Sequence, residues 1–310
     1  MQLLEFPDAT YTRTWNSGRG QVRFFIRPDG SRLRYYTAGN GPPLVLLHTV
    51  RTQLDYFQLV IPLLWDHYTI YALDLPGMGW SDIVPGARYE EPELRAAVVE
   101  FVSGLDLLGV TLAGESLGGA LSLSASIDLP ERVSRVVAFN SYDYPGGLER
   151  GNGLARFIVG SVRLPGLGPI VAGLEPRPVM RAVLQGGFFH KTRLPDDFVA
   201  ELLRSGRRKG YAKVARAIYR SLKGFISARH RYAQVSVPVT LVYSEQDWSR
   251  PAERAQVASA LADVHQITLP RTGHFSSLER PDRVAWILLG AASGSPRTSC
   301  RPAPSNRLGE

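Results

Sequence analysis

Short strand-like segments that alternate with stretches of helical periodicity are the feature that most restricts how this chain can fold. From residue 44 onward, such strands lie at Leu44–Leu47, Tyr68–Leu73, Val110–Ala113, Val133–Phe139, Val237–Tyr243 and His265–Leu269. Helical spacing of apolar residues is found at Gln53–Trp65, Glu93–Leu108, Leu117–Ile127, Ala252–Leu261 and Asp282–Gly290. This alternation predicts an α/β fold with a mostly parallel central sheet flanked by helices.

Two more strands are predicted ahead of these. Gln21–Arg27 alternates in polarity, Asp29-Gly30 supplies a turn, and Ser31–Ala38 resumes extended character. Alternating strands joined by an Asp-Gly turn are typical of a β-hairpin. We therefore expect a hairpin at the start of the sheet.

The long interval between Val133–Phe139 and Val237–Tyr243 has helical periodicity and no strand-like segment of its own. Its clearest helix, Lys209–Phe225, is apolar on one face and basic on the other. An insertion at this point predicts a helical cap over the carboxyl ends of the strands, placed before the last two strands. The expected organisation is an α/β core in two parts (residues 1–143 and 235–292), a cap (144–234) and a disordered tail (293–310).

The net charge of +8 is concentrated in the predicted cap. Residues 146–235 contain 17 Lys and Arg against 5 Asp and Glu, a net charge of +12, so the remainder of the chain is acidic. One interpretation is a solvated face that keeps the protein soluble. The sharper one is that the charge attracts anionic substrates or contacts an acidic membrane surface. No recognition motif supports nucleic-acid binding.

The remaining composition excludes several classes of protein. A hydrophobic content of 44% and a charged content of 21% are typical of a soluble globular chain. The single cysteine, Cys300, excludes an intramolecular disulfide and a thiolate metal site, and we expect no cofactor and no metal. Glu5 and Asp8 stand where a signal peptide needs basic residues, and no apolar run approaches the ~20 residues that span a bilayer. The expected location is the cytoplasm.

The most informative short motif is Gly114-Glu115-Ser116-Leu117-Gly118, which matches G-x-S-x-G. It follows a short apolar strand and opens a helix of small residues, which is the setting of a nucleophile elbow. Because the serine of such an elbow lies in a strained turn, the flanking positions need almost no side chain. A glycine-rich helix start with Ser116 as its capping residue is the alternative interpretation.

A serine hydroxyl needs an adjacent base to act as a nucleophile near neutral pH. Of the six histidines, His274 has the expected position, just after the last predicted strand and before a helix. The histidine in turn needs a carboxylate, and Asp247 follows the strand Val237–Tyr243. Two other carboxylates compete with Asp247 for this role: Glu245, two residues earlier, and Asp143, after the preceding strand.

Four separated motifs give the chain its resemblance to a known family. They are Leu47-His48 after a strand, the segment Asp74–Asp82, the G-x-S-x-G turn, and Gly273-His274 with Glu279 and Pro281 downstream. In this order they resemble the α/β-hydrolase superfamily, in its capped branch with a serine nucleophile. The resemblance covers about residues 33–292. The order Ser116, Asp247, His274 is also the order of that family's catalytic triad.

The resemblance also implies an oxyanion hole formed by two backbone N–H groups, those of Leu117 and Val50. The chain departs from the family at Thr49, since relatives usually carry glycine after the histidine. A β-branched residue does not easily take a positive φ, so a rearranged loop is expected there. Either the Thr49 hydroxyl or the Arg51 side chain then approaches the site.

The triad predicts acyl transfer to water, with a small carboxylic ester or lactone as substrate. Members of the family that open halides or epoxides carry aspartate at the elbow, and the basic cap disfavours aminopeptidase chemistry, which needs carboxylates to hold a substrate ammonium. Hydrolysis of a carbon–carbon bond in a vinylogous diketone is the next alternative, because the same fold and triad serve it. A ligand-binding pseudo-hydrolase is the alternative from another class, and Thr49 is the feature in its favour.

Overall fold

One eight-stranded sheet forms the centre of the molecule. The computed structural model describes residues 19–164, 168, 171 and 176–292. Its strands are β1 (Gly20–Ile26), β2 (Arg32–Ala38), β3 (Pro43–Leu47), β4 (Thr69–Leu73), β5 (Val110–Glu115), β6 (Val133–Phe139), β7 (Val239–Gln246) and β8 (Val264–Gly273). They lie in the order β1-β2-β4-β3-β5-β6-β7-β8. β2 is antiparallel to both its neighbours, and β3 to β8 are parallel to one another. The predicted mostly parallel sheet is confirmed.

Helices flank this sheet, as predicted. In the described part of the chain they are α1 (Glu91–Gly104), α2 (Leu117–Ile127), α3 (Gly153–Arg163), α4 (Arg177–Gln185), α5 (Asp196–Gly206), α6 (Tyr211–Ala228), α7 (Pro251–Ser259), α8 (Ser276–Glu279) and α9 (Pro281–Ala292). None of the described helices has the length and apolar character needed to cross a bilayer. The expectations for the N-terminal segment, for Cys300 and for the tail concern residues outside the described ranges.

The order of the strands creates a crevice next to β3. β4 lies on one side of β3 and β5 lies on the other, so the chain leaves β3 in one direction and returns on the opposite side. In open parallel sheets such a reversal leaves a ligand-binding crevice at the carboxyl ends of the strands. Leu47, the last residue of β3, pairs with Gly114 near the end of β5. The segments that begin at His48 and at Ser116 therefore start side by side.

The helix predicted over Gln53–Trp65 is wrong. The structure has two short 3₁₀ turns there, Leu54–Phe57 and Ile61–Leu63. Leu54 donates its backbone N–H to Asp74 Oδ1 at 2.7 Å, so the start of this segment is bonded to the loop after β4 instead of to itself. The apolar spacing does mark buried residues, since Leu54 and Phe57 are both buried, but the segment is irregular and packs on the core without forming an α-helix.

A buried ion cluster lies under this segment. Arg34 on β2 is fully buried and donates from Nε to Asp74 Oδ2 at 2.6 Å and from Nη2 to Asp55 Oδ2 at 3.2 Å. Asp74 also accepts the backbone N–H of Trp80 at 2.7 Å. One guanidinium thus ties β2, the first 3₁₀ turn and the Asp74–Asp82 loop together, which explains how that loop keeps its shape at the crevice.

The residues between β6 and β7 (144–234, called the insertion below) contain α3 to α6 among their described parts. The face of α6 predicted to be apolar is buried: Tyr211, Val214, Ala215, Ile218, Leu222 and Phe225. Glu201 on α5 accepts hydrogen bonds from Trp80 Nε1 at 2.8 Å and from Gln53 Nε2 at 3.3 Å. Arg208 donates to the carbonyl oxygens of Ser81 and Gly77 at 2.7 and 2.8 Å. Part of the insertion's charge therefore makes structural contacts with the sheet domain, while Lys213, Arg220 and Lys223 are exposed.

Candidate active site

Ser116 occupies a sharp turn between β5 and α2. Its backbone has φ 59° and ψ −117°, a conformation that residues other than glycine rarely adopt. Although Ser116 is the N-cap residue by position, its hydroxyl makes no capping hydrogen bond, so the capping interpretation is wrong. Strained backbone of this kind concentrates at functional sites, where the surrounding structure holds it in place.

The glycines beside Ser116 allow the elbow to lie directly against β3. A Cβ atom on Gly118 would lie 2.0 Å from the carbonyl oxygen of Leu47, and one on Gly114 would lie 2.3 Å from the carbonyl oxygen of Gly118. Both contacts involve backbone atoms that have little room to move. Any larger residue at either position would separate the elbow from the segment that starts at His48.

His274 and Asp247 form a buried pair at the same edge of the sheet. Asp247 follows β7, His274 follows β8, and His274 Nδ1 lies 2.5 Å from Asp247 Oδ1, with both side chains fully buried. Burial alone would raise the pKa of Asp247, but the His274 ring and two hydrogen bonds from Ser249 hold it below its ordinary value. Asp247 is therefore an acceptor, which assigns the proton to His274 Nδ1 and leaves His274 Nε2 with a lone pair.

Two atoms of this edge stand out because they are buried and unpaired. Ser116 Oγ and His274 Nε2 have no hydrogen-bond partner among the described residues. Buried polar atoms are nearly always hydrogen-bonded, so each exception needs an explanation. A hydroxyl that donates a proton and an imidazole nitrogen that accepts one are the two groups required for nucleophilic attack by serine.

The two competing carboxylates lie elsewhere. Glu245 is exposed and accepts the backbone N–H of Arg271 at 2.7 Å. Asp143 is buried, but it accepts hydrogen bonds from Ser141 at 2.8 Å and from Tyr232 at 3.2 Å. The structure brings Asp247, and neither of the others, to His274.

A buried polar network that the sequence analysis missed joins the elbow to the histidine loop. The carboxylate of Glu115 accepts the backbone N–H groups of Ser276 and Ser277 at 2.6 and 3.1 Å, and both hydroxyls as well. Asn140 donates to His274 O at 2.9 Å and to Glu115 Oε1 at 3.2 Å. Because Glu115 precedes Ser116, this network fixes the position of the elbow relative to His274. The sequence signal that could have revealed this network is Glu115 itself, a charged residue between an apolar strand and a glycine-rich helix.

Trp248 is a second residue that sequence reasoning missed. Its ring stacks on His274 with centroids 3.8 Å apart and an interplanar angle of 13°. The face of an indole attracts a cation, so this ring favours the imidazolium that forms when His274 takes a proton. The sequence signal was an aromatic residue immediately after Asp247. Its stacking on His274 depends on how two separate loops meet, which the sequence alone does not show.

On the other side of the crevice, the segment after β3 does not place a left-handed residue at Thr49. The positive φ, 55°, falls on Arg51 instead. His48 donates from Nδ1 to Thr49 O at 2.8 Å and accepts the backbone N–H of Leu75 at Nε2, at 3.0 Å. Burial lowers the pKa of His48, which keeps it neutral and in a structural role. The Thr49 hydroxyl is buried and has no hydrogen-bond partner among the described residues.

Comparison with known proteins decides the family. A sequence profile described as "Alpha/beta hydrolase family" matches residues 44–285. The chain belongs to the alpha/beta hydrolase family. The haloalkane dehalogenase 2 of Mycobacterium tuberculosis (strain ATCC 25618 / H37Rv) is 25% identical over 294 residues, which cover 87% of this chain and 94% of that protein. A 2-hydroxy-6-oxo-6-(2'-aminophenyl)hexa-2,4-dienoic acid hydrolase of Metapseudomonas resinovorans is 25% identical over 281 residues, which cover 88% and 91%.

Solved structures share the fold of this alpha/beta hydrolase. The crystal structure of wild-type Cfl2 from Burkholderia cenocepacia superposes with a TM-score of 0.77 at 23% sequence identity, covering 88% of this chain and 96% of that one. The expected superfamily is thereby confirmed, together with the fold.

A small apolar cavity lies between the insertion and the candidate site. Its volume is about 60 Å³, room for a few water molecules. The sheet domain contributes Val50, Arg51, Trp248 and Phe275, and the described residues of the insertion add apolar side chains that include Ile158, Met180, Leu184 and Tyr219. Ligand sites usually take about 300–1,000 Å³, so this cavity is smaller than a typical ligand site. A larger open groove of about 520 Å³ between α1 and α6 contains none of the candidate site residues.

No group of three or more His, Cys, Asp or Glu within the described ranges is arranged to hold a metal ion. The candidate site of this alpha/beta hydrolase consists of the serine, the histidine–aspartate pair, the segment after β3 and the apolar cavity.

The buried carboxyl of Asp143 leads to a prediction about stability and pH. Burial raises the pKa of Asp143 to about 7, from the ordinary aspartate value of about 3.9. Between these two pH values the folded chain holds a proton that the unfolded chain has lost, so the stability of the wild type falls as pH rises through this range. Asparagine does not titrate. As the pH rises from 5 to 8, we expect the difference in stability between Asp143→Asn and the wild type to shift by roughly 2–3 kcal/mol in favour of the variant, at about 1.4 kcal/mol per pKa unit.

Urea denaturation of both proteins at pH 5 and pH 8 measures this change. A difference between wild type and Asp143→Asn that stays constant over the two pH values would contradict a proton held by the buried carboxyl.

Proposed function

We propose that this chain hydrolyses a carboxylic ester or lactone through an acyl-enzyme on Ser116. The observation that carries the proposal is the buried His274–Asp247 pair, whose free Nε2 lies at the same sheet edge as the unpaired hydroxyl of Ser116. A hydroxyl, a base and a carboxylate that orients the base are the three parts of a serine triad.

In the proposed reaction, His274 Nε2 takes the proton of Ser116 Oγ as the oxygen attacks the ester carbonyl. The backbone N–H groups of Leu117 and Val50 hold the negative charge that develops on the carbonyl oxygen, and Thr49 supplies a hydroxyl nearby. The imidazolium then returns its proton to the departing alcohol. A water molecule, deprotonated by His274, attacks the acyl-enzyme and releases the acid, while His274 passes that proton to Ser116 Oγ.

The position of Leu117 supports its part in the oxyanion hole. Leu117 is the first residue of α2, and the first N–H groups of a helix have no partner within the helix. The positive end of the helix dipole points the same way. The segment that leads to Val50 starts against the elbow, because Gly118 packs on the carbonyl oxygens of Leu47 and His48.

The names of the two relatives point to substrates other than esters. The serine at position 116 distinguishes this chain from the haloalkane dehalogenase. Haloalkane opening in this family uses aspartate at the elbow to form an alkyl ester, whereas this chain has serine. The dienoic acid hydrolase keeps carbon–carbon bond cleavage as the second candidate. The same nucleophile and base serve both reactions, so the leaving group, a carbanion equivalent or an alcohol, distinguishes them.

A panel of p-nitrophenyl esters of increasing acyl length tests the proposed function. We expect p-nitrophenol release by the wild type and a loss of about 10⁴- to 10⁶-fold in kcat for Ser116→Ala. Ser126→Ala is the matched control, because Ser126 lies on the same helix with its hydroxyl on Leu123 O. Retained release in Ser116→Ala contradicts the nucleophile. If no ester is cleaved, ultraviolet decay of a vinylogous 1,5-diketone tests the second candidate, and failure there as well favours a ligand-binding protein without turnover.

A further inference from the structure

The loop that carries His274 (residues 273–277, the histidine loop) contacts a short part of the insertion, residues 186–190, which is called the docking segment below. Phe275 donates its backbone N–H to the carbonyl oxygen of Gly187 at 3.2 Å. A Cβ atom on Gly273 would lie 2.3 Å from that same oxygen, so the two backbones touch there. The docking segment therefore packs against the residues on both sides of His274.

The carboxylate of Glu279 fastens this contact. Glu279 ends α8 and is buried, and its Oε1 accepts the backbone N–H of His190 at 2.5 Å. Its Oε2 accepts the backbone N–H of Phe189 at 3.1 Å and that of Gly273 at 2.8 Å. Hydrogen bonds to an ionised acceptor are roughly twice as strong as those between neutral groups. One side chain thus binds the docking segment and the residue just before His274.

The docking segment also contacts the residue after Asp247. Trp248 donates from Nε1 to the carbonyl oxygen of Gly186 at 3.4 Å, and its ring stacks on His274. Asp247 and His274 are thus each followed by a residue, Trp248 and Phe275, that is hydrogen-bonded to the docking segment. A single part of the insertion contacts both loops that supply the buried pair.

The backbone around His274 depends on these bonds. Asp247 holds the histidine at its ring. The N–H groups of the two neighbouring residues, Gly273 and Phe275, are bonded to Glu279 and to the docking segment. Removing those bonds frees the backbone on both sides of the histidine while its ring bond remains. A general base acts only within hydrogen-bond reach, and a misplacement of about 1 Å can cost about 100-fold in rate.

We infer that Glu279 is a positioning residue for the proposed hydrolysis. By fastening the docking segment to the histidine loop, it holds His274 Nε2 within reach of Ser116 Oγ. This inference rests on the proposed function and gives the insertion a part in the proton transfer itself, besides lining the cavity.

Two substitutions loosen the contact from opposite sides. Glu279→Gln keeps the shape of the side chain but replaces one acceptor oxygen by an amide nitrogen, which donates and does not accept. Gly187→Ala leaves the carboxylate intact and places a Cβ atom 2.5 Å from the Phe275 ring. For a p-nitrophenyl ester, we expect each variant to lower kcat by about 10- to 100-fold, with KM changed less than about threefold.

Glu201→Gln is the matched control. Glu201 is also a buried glutamate that joins the insertion to the sheet domain, but its printed partners there are Trp80 and Gln53 and not the histidine loop. Its kcat should stay within about threefold of the wild type. Equal losses of kcat in Glu201→Gln and Glu279→Gln would assign the effect to general loosening of the insertion. A raised KM with unchanged kcat in Glu279→Gln would mean that Glu279 shapes the cavity and not the histidine. Either result overturns the inference.

Hydrogen exchange separates this inference from the proposed function, because it requires no turnover. Mass spectrometry follows the amides of residues 186–190 and 273–277, with peptides from β3 and β5 as a check of the fold. We expect both segments to exchange faster in Glu279→Gln, neither in Glu201→Gln, and the two strands to stay unchanged. If the strands also exchange faster in Glu279→Gln, the same two segments in Gly187→Ala decide. Faster exchange confined to residues 186–190 contradicts the role of Glu279, whether or not Ser116 is the nucleophile.

Discussion

Replacing Asp247 by asparagine is expected to lower kcat by about 10⁴-fold, with little change in KM or in stability. The carboxylate accepts the proton of His274 Nδ1 and so leaves Nε2 free to act as the base. An asparagine amide in the same place donates a proton instead and favours the wrong tautomer of the imidazole. It also removes the negative charge that stabilises the imidazolium.

Asp143→Asn is the matched control for this loss. Asp143 is equally buried, but it bonds to Ser141 and Tyr232 and not to His274. We expect its kcat for the same ester to stay within about threefold of the wild type at pH 7, on the reasoning that removing a group outside the triad leaves the transition state untouched. A large loss in Asp143→Asn together with a small loss in Asp247→Asn would exchange the roles of the two residues.

Replacing Arg34 by methionine is expected to destabilise the protein by about 3–5 kcal/mol. Methionine fills much of the same space, but Asp74 and Asp55 then remain buried without their cation. Burial already raises the pKa of Asp55 even with Arg34 present, which shows how costly the ionised form is at this position. We expect the Asp74–Asp82 loop and the first 3₁₀ turn to lose their common anchor.

Arg32→Met on the same strand is the control, because Arg32 pairs with Asp82 at the surface, where both side chains are about one-third exposed. Exposed pairs contribute about 0–1 kcal/mol, so this variant should remain near the wild type. The free energies of unfolding come from urea titrations of all three proteins. Equal effects of the two substitutions would contradict a buried ion cluster that holds the loop.

The strands and most helices followed from sequence because their signals are local. A run such as Val133–Phe139 is apolar enough to be buried wherever it lies, and α2 was predicted with its observed bounds of Leu117–Ile127. The failure at Gln53–Trp65 has a long-range cause. Its first backbone N–H bonds to Asp74, and its aspartate bonds to Arg34 on another strand. Helical periodicity alone does not reveal such partners.

The candidate triad was predictable for a similar reason. Ser116, Asp247 and His274 each follow a strand of one parallel sheet, and the carboxyl ends of parallel strands meet at one edge. The residues that support the triad were not predictable in this way. The bonds of Glu115 to Ser276 and Ser277 join residues 161 and 162 positions apart, and the stacking of Trp248 on His274 depends on how two separate loops meet. Spacing along the chain carries no information about those contacts.

Thr49 shows where a local rule gave part of the answer. The rule that a β-branched residue avoids a positive φ predicted a changed segment after His48, and the left-handed residue is indeed Arg51 instead. The rule did not reveal that Tyr211 and Tyr219 would then hold the Arg51 side chain at the cavity. That contact needs the insertion to be folded over the sheet.

Reaction with a fluorophosphonate, followed by digestion and mass spectrometry, tests most directly whether Ser116 is an activated nucleophile. The label is predicted on the peptide that contains Ser116, with slow labelling in His274→Ala and none at that peptide in Ser116→Ala. A label on a different serine, or equal labelling rates in the wild type and His274→Ala, would contradict the unit formed by Ser116, His274 and Asp247.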